Sequence, residues 1–335
     1  MAFKRVGAIT LESGEESLYC AVIDQPNGFA YFSTATVLGR VIKVKLSDFT
    51  RVGAITFESG EDDLKSAVID QPNGFAYFGT DTTPGQVIKV KLSDFTRIGA
   101  ITLESGEINL RSAVIDQPNG FAYFGTGTVP GQVIKVKLSD FTRIGAITLE
   151  SGEDSLRGTV IDQPNGYAYF GTETAPGQVI KVKLSDFTRV GAITLEDGEN
   201  YLYSAAIDQP NGYAYFGTET APGQVIKVKL SDFTRVGAIT LESGEVNVHS
   251  AVIDQPKGLA YFGTGNSPGL VVKVKLSDFT RVETITFESG EDVLLCAVID
   301  QPNGFAYFGT GTAPGRVVKV GLKGKPHLLT ILGMD

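Results

Sequence analysis

The chain has no tryptophan, two cysteines, two histidines and two methionines in 335 residues. Each scarcity removes a class of function. Two cysteines are too few for a disulfide scaffold. The two histidines, His249 and His327, lack zinc-ligand spacing, and no nucleophile elbow is present. No apolar run approaches the roughly 20 residues of a membrane span. The opening Met1-Ala2-Phe3-Lys4-Arg5 is not followed by the apolar core of a signal peptide. An untrimmed chain is therefore expected in the cytoplasm, and one trimmed of a leader outside the cell. Basic charge is also short. The net charge of −9 and a pI near 4.9 argue against a nucleic-acid or anionic-membrane partner.

Turn residues, by contrast, are abundant. The chain has 40 glycines and 14 prolines, and no segment keeps a helical period. The register Phe3-Lys4-Arg5 returns as Phe49-Thr50-Arg51, then at Phe95, Phe141, Phe187, Phe233 and Phe279, always 46 residues on. Seven copies without insertion or deletion cover residues 3–324, and a tail of eleven residues, 325–335, follows.

The fifth copy shows the unit. Ser204–Asp208 is a short apolar run suited to a strand buried on both faces. Asp208-Gln209-Pro210-Asn211-Gly212 is a tight turn, with Pro fixing φ and Asn and Gly tolerating positive φ. Tyr213–Thr218 is aromatic and strand-like. After Ala221-Pro222-Gly223, Gln224–Leu230 alternates apolar with lysine. Ser231-Asp232-Phe233 turns again, and Thr234–Leu241 forms a fourth strand. Four strands, A to D, in a unit of 40–50 residues mark a propeller blade. The expected fold is all-β: one seven-bladed β-propeller domain over residues 1–335, with four antiparallel strands per blade.

The run Ala67-Val68-Ile69-Asp70-Gln71-Pro72-Asn73-Gly74-Phe75-Ala76-Tyr77-Phe78-Gly79-Thr80 resembles the strand A to strand B region of YVTN-type and NHL-type propeller repeats. The resemblance covers the whole array and implies the fold. It implies little about activity, because these families host binding, scaffold, surface-layer and enzyme members. The Tyr-Val-Thr-Asn tetrad itself is absent.

Strand D follows only six of the seven A–B–C sets in full. Residues 5–11 match the other D strands and are expected to complete blade seven. The apolar tail 325–335 is expected to add outside as a fifth strand, since an open edge invites pairing. Cys20 and Cys296 occupy the same position in copies one and seven. They read as small buried residues, because equivalent positions in adjacent blades are expected beyond the ~7 Å limit for a disulfide.

The carboxylates form rings. One contains Asp24, Asp70, Asp116, Asp162, Asp208, Asp254 and Asp300, and another Glu12, Glu58, Glu104, Glu150, Glu196, Glu242 and Glu288. Seven like carboxylates around a channel suit a cation, but an Asp before Pro-Asn-Gly equally satisfies its own turn. The second reading is favoured, and no cofactor or metal is assigned. The strand C lysines, such as Lys43 and Lys45, read as solvated.

Differences between copies collect in two places. One is the D–A connection and the start of strand A, at Ser17/Tyr19, Asp63/Lys65, Asn109/Arg111, Ser155/Arg157, Tyr201/Tyr203, Asn247/His249 and Val293/Leu295. The other is the B–C loop, at Ala35, Asp81, Gly127, Glu173, Glu219, Gly265 and Gly311. In an up-and-down blade both connections lie at the same end. The expected binding face therefore carries a basic arc, Lys65, Arg111 and Arg157, and an aromatic and apolar arc, Tyr203, Leu295 and Tyr19, with His249 among them. Asp81, Glu173 and Glu219 stand nearby in the loops. These residues are expected to be exposed. Near-identical blades supply one group seven times, whereas catalysis needs groups in different roles. The expected function is a non-enzymatic scaffold that binds a protein, peptide or glycan on this face. The rivals are a self-associating surface or filament protein and an enzyme at the channel mouth.

Overall fold

The computed structural model describes residues 3–322. Strand β1 spans Lys4–Thr10, and blade one contains β2 (Leu18–Asp24), β3 (Phe29–Thr34), β4 (Arg40–Lys45) and β5 (Thr50–Thr56). The pattern repeats through seven four-stranded antiparallel sheets. In the seventh, β26 (Leu294–Asp300), β27 (Phe305–Thr310) and β28 (Arg316–Gly321) are joined by β1. Ring closure by the N-terminal strand is thus as expected, with Ala8 opposite Val318 and Thr10 opposite Arg316. The proposed tail strand, 325–335, lies outside the described residues.

Strand A starts two residues earlier than its apolar run suggests, at Leu202 in blade five. Leu202 is fully buried there, as Leu18, Leu64, Leu110, Leu156 and Leu294 are in theirs. The cores lie between blades and not within them. Between blades one and two, Val22, Tyr31 and Val41 pack on Leu64, Phe78, Ile88 and Val90. Close approach is enforced by glycine in strand B. A Cβ on Gly171 would lie 2.6 Å from the Leu202 Cβ of the next blade. The A–B turn ends on a second obligatory glycine, with φ +72° at Gly212.

The outer end of each junction is closed by a charge clasp. Arg143 Nε donates to Glu107 Oε2 at 2.7 Å while its Nη1 sits 2.9 Å from Glu104. The Glu107 side chain is 5% exposed and that of Glu104 is 68% exposed. The same Glu also accepts the backbone N–H of Glu104 at 3.0 Å. Equivalent clasps join Arg51 to Glu15, Arg97 to Glu61, Arg189 to Glu153, Arg235 to Glu199 and Arg281 to Glu245. Arg5 completes the ring through Glu291. The Glu12-type ring therefore faces arginine at the rim, and the Asp24-type ring is engaged by its own turn, with Asn27 Nδ2 donating to Asp24 Oδ2 at 2.9 Å.

The strand C lysines divide. Lys45 is exposed and pairs with Asp48. Lys43 is buried, 4.1 Å over the Phe29 ring, and within reach of Tyr31 and of Phe95 from blade two. The expectation of solvation fails for Lys43 because its stem and ammonium fill an aromatic corner between blades.

Breaking a clasp leaves a buried carboxylate alone. Arg143→Ala should cost about 3–5 kcal/mol, and Arg5→Ala should cost a similar amount because the closing junction has the same geometry. The pair Arg143→Leu/Glu107→Leu should recover most of it. Urea unfolding measures all three. A loss under about 1 kcal/mol for Arg143→Ala would show a mere surface pair.

Candidate functional site

The seven variable strand A residues converge at one end of the central channel. Tyr19, Lys65, Arg111, Arg157, Tyr203, His249 and Leu295 line a mouth cavity of about 60 Å³. A second cavity of roughly 180 Å³ shares most of these residues and is lined further by Ala, Ser, Cys, Thr and Gly of the innermost strands. The convergence follows from registry, since each residue is the second of its strand A, behind a connector residue at positive φ such as Ser155 (+50°) or Tyr201 (+55°).

These side chains interlock. Glu173, from the B–C loop of blade four, accepts from Ser155 Oγ at 2.6 Å, Tyr203 Oη at 2.7 Å and Arg157 Nε at 3.0 Å. Arg111 reaches it from blade three at 3.1 Å. The Arg157 guanidinium lies 4.5 Å over the Tyr203 ring, and Tyr203 packs on His249 at 5.2 Å. His249 Nε2 is 3.3 Å from Glu219. On the other side Lys65 pairs with Asp81 and sits 5.1 Å over the Tyr19 ring. Arg111 Nε and Asp81 Oδ1 face each other at 3.6 Å, an ionic contact just beyond hydrogen-bonding reach, and neither atom has another partner.

Two expectations change here. The basic arc is not free charge, because Lys65, Arg111 and Arg157 are matched by Asp81 and Glu173. Nor are these residues exposed, since the Arg157 side chain is 9% and the His249 side chain 10% accessible. Loop carboxylates and the strand A residues of adjacent blades cover what a single unit would leave in solvent. Ala35, Gly127, Gly265 and Gly311, the remaining variable loop positions, bring no charge to the network.

Electrostatics follow the packing. Burial pushes Glu173 up, but hydrogen bonds from Ser155 and Tyr203 and the Arg157 charge hold its carboxyl below the usual range. Burial pushes the His249 pKa down, against the pull of Glu219 and with a smaller push from Arg157. Burial raises the Cys20 thiol to about 12. Both cysteines are free; Cys296 is buried as read from its strand, whereas Cys20 is only half-buried. Cys20 sits 2.6 Å from Ser33, which stands where other copies have glycine. Ser33 Oγ donates to the Leu64 carbonyl at 2.9 Å, the junction bond that Ser66 makes to Leu110 in the next blade.

Blade four departs in another way. It has Gly158 where others have Ser or Cys, and a Cβ there would lie 2.7 Å from the Ser204 backbone. The innermost strands of blades four and five therefore approach closely, and Ser112 of blade three is left without a hydrogen-bond partner. The glycine was visible in the sequence, but its effect across a junction was not. Among the described residues no group of His, Cys, Asp and Glu is arranged to hold a metal ion, and no helix is long and apolar enough to cross a membrane.

The fold is similar to two solved structures, of U3-55K and of the RRP9 WD40 repeats. Each superposes with a TM-score of 0.77 at 10% identity, over 96% of this chain and 100% and 99% of theirs. At that identity the likeness establishes the seven-bladed architecture. No protein-family model and no curated protein matches the chain.

The depressed Glu173 carboxyl makes a signed prediction. Its stabilisation is complete above the unfolded carboxylate range and is lost as pH falls through the folded value. Glu173→Gln should therefore be less stable near neutrality and should flatten the acid limb below about pH 4.5. Melting temperature against pH, wild type beside variant, measures this. Parallel acid limbs would show that Glu173 adds nothing to acid sensitivity.

Proposed function

We propose that this chain is a non-enzymatic interaction scaffold that holds a protein or peptide against the face carrying the D–A and B–C connections. One observation carries the reading. Copies that agree almost everywhere differ on this one face, both in the packed ring at the channel mouth and at exposed loop positions around it, where packing alone does not demand difference. The mouth cavity, about 60 Å³, is far below the 300–1,000 Å³ of small-molecule sites. Recognition therefore belongs to the surface around the mouth. That surface carries apolar anchors at Val37 (82% exposed), Val129 (78%) and Tyr201 (38%), and aromatic residues are favoured hot spots. The turn and strand resemblance to YVTN and NHL repeats, and the architecture shared with WD40 repeats, fit a scaffold. The blades offer no set of groups in differing catalytic roles. A glycan remains within the reach of the same polar rim. Self-assembly into a surface or filament protein is the rival, favoured only by the seven-fold row of exposed apolar residues on the outermost strands, such as Val52 and Ile98.

A phage-displayed peptide library and a glycan array, each selected against the intact protein, test the reading. Selected ligands should lose about tenfold or more in affinity with Tyr201→Ala or Val129→Ser, a hot-spot cost of ~1.4 kcal/mol, while the melting temperature stays unchanged. Ligands indifferent to both variants would place recognition elsewhere. Concentration-dependent assembly in light scattering, abolished by Val52→Lys/Ile98→Lys, would support the structural rival.

A further inference from the structure

The opposite face, nearly constant in all copies but the sixth, has a pocket at the blade junctions. Between blades two and three a cavity of about 270 Å³ is lined by Asp70, Asn73, Phe75, Tyr77 and Lys89, and closed by the turn at Gly120. The equivalent cavities measure about 380 Å³ between blades three and four and about 430 Å³ between blades seven and one. The same residue types recur in blades one, four and five. We propose that these junction pockets are carbohydrate sites, each taking one neutral pyranose unit.

The chemistry points to a polyol. Tyr77 is 1% exposed, and its hydroxyl has no protein partner, as is true of the matching tyrosine at every junction. Asn73 Nδ2 donates to Asp70 Oδ2 at 2.8 Å. That bond orients the pair and leaves the amide oxygen and the other carboxylate oxygen as acceptors. In blade four the corresponding Asp162 Oδ1 is buried without a partner. Lys89 Nζ stands 4.0 Å over the Phe75 ring. Asp70 raises its pKa, but burial outweighs this and lowers it. Each pocket thus offers an ammonium, acceptor oxygens of the Asn–Asp pair and an aromatic ring, and holds beside them an unpartnered tyrosine hydroxyl that is itself closed off from solvent. Vicinal sugar hydroxyls both donate and accept, and a sugar's C–H face packs on a ring. One carboxylate and one ammonium leave the pocket neutral, so neither an anion nor a cation gains.

Blade six is an internal control. Lys257 replaces the asparagine and pairs with Asp254. Leu259 replaces the aromatic wall. Glu283, where other blades have glycine, holds Lys273 at 2.9 Å. The asparagine amide, the aromatic ring and the free lysine are lost there, and only the Tyr261 hydroxyl stays unpartnered as elsewhere. Seven junctions less this one leave six sites on one face, an arrangement that turns weak single contacts into avidity.

Calorimetry with the methyl glycosides of glucose, galactose, mannose and N-acetylglucosamine tests this directly. At least one should bind saturably, with about six equivalents per chain. Tyr77→Phe/Lys89→Met should remove one equivalent, and Lys257→Asn/Leu259→Phe/Glu283→Gly should add one, so a loss and a gain are both read on folded proteins. Absence of binding by all four sugars, a stoichiometry unmoved by the blade-six variant, or a single site abolished by Glu173→Gln on the other face would overturn the proposal.

Discussion

A carboxylate buried at every blade junction is the constraint on which the ring depends. Glu107 and its counterparts are taken out of water by the fold itself, which costs several kcal/mol unless an arginine is placed with good geometry. The arginine comes from the outermost strand of one blade and the glutamate from the connector arriving from the blade before. Six of the seven pairs span 36 residues and tie each connector to the outermost strand of the blade it enters. The seventh forms only when the ring closes, because Arg5 lies on β1 and reaches Glu291 on the connector that leads into blade seven.

Much of the fold was legible before any coordinates. Identical spacing, the Pro-Asn-Gly turn and the aromatic strand specify a four-stranded unit, and the match of residues 5–11 to the other outermost strands specifies closure. What was hidden has one physical cause: it arises between repeats. Lys43 looks solvated within its own strand, since the ring that covers it includes Phe95 of the next blade. Arg51 and Glu15 are 36 residues apart, and nothing local says that they meet. The role of Gly171 depends on Leu202 of the neighbouring blade.

The site was legible in position but not in state. Comparison of the copies places Lys65, Arg111, Arg157, Tyr203 and His249 on one face, and the structure brings them together. It also buries them and pairs them with Asp81, Glu173 and Glu219 from the loops. A residue can be assigned to the end of a strand by counting. Its exposure depends on which side chains of adjacent blades reach it, and that is set by blade packing.

The two faces follow from opposite uses of one duplication. Seven equal blades place the same groups at seven equivalent points, which suits many identical small sites and is poorly suited to one large asymmetric site. The constant face keeps that symmetry, down to the unpartnered tyrosine hydroxyl at each junction. At the channel mouth the seven equivalent positions lie close enough to touch. Identical residues there would place seven like charges or seven like rings against one another, and like charges in so small a space repel. Divergence at the mouth is thus physically favoured even before any ligand is considered. The observed alternation of Lys, Arg, Tyr and His with loop carboxylates resolves that crowding. A selected recognition surface must therefore be sought around the network, at exposed residues such as Val129 and Tyr201, where packing alone does not demand difference.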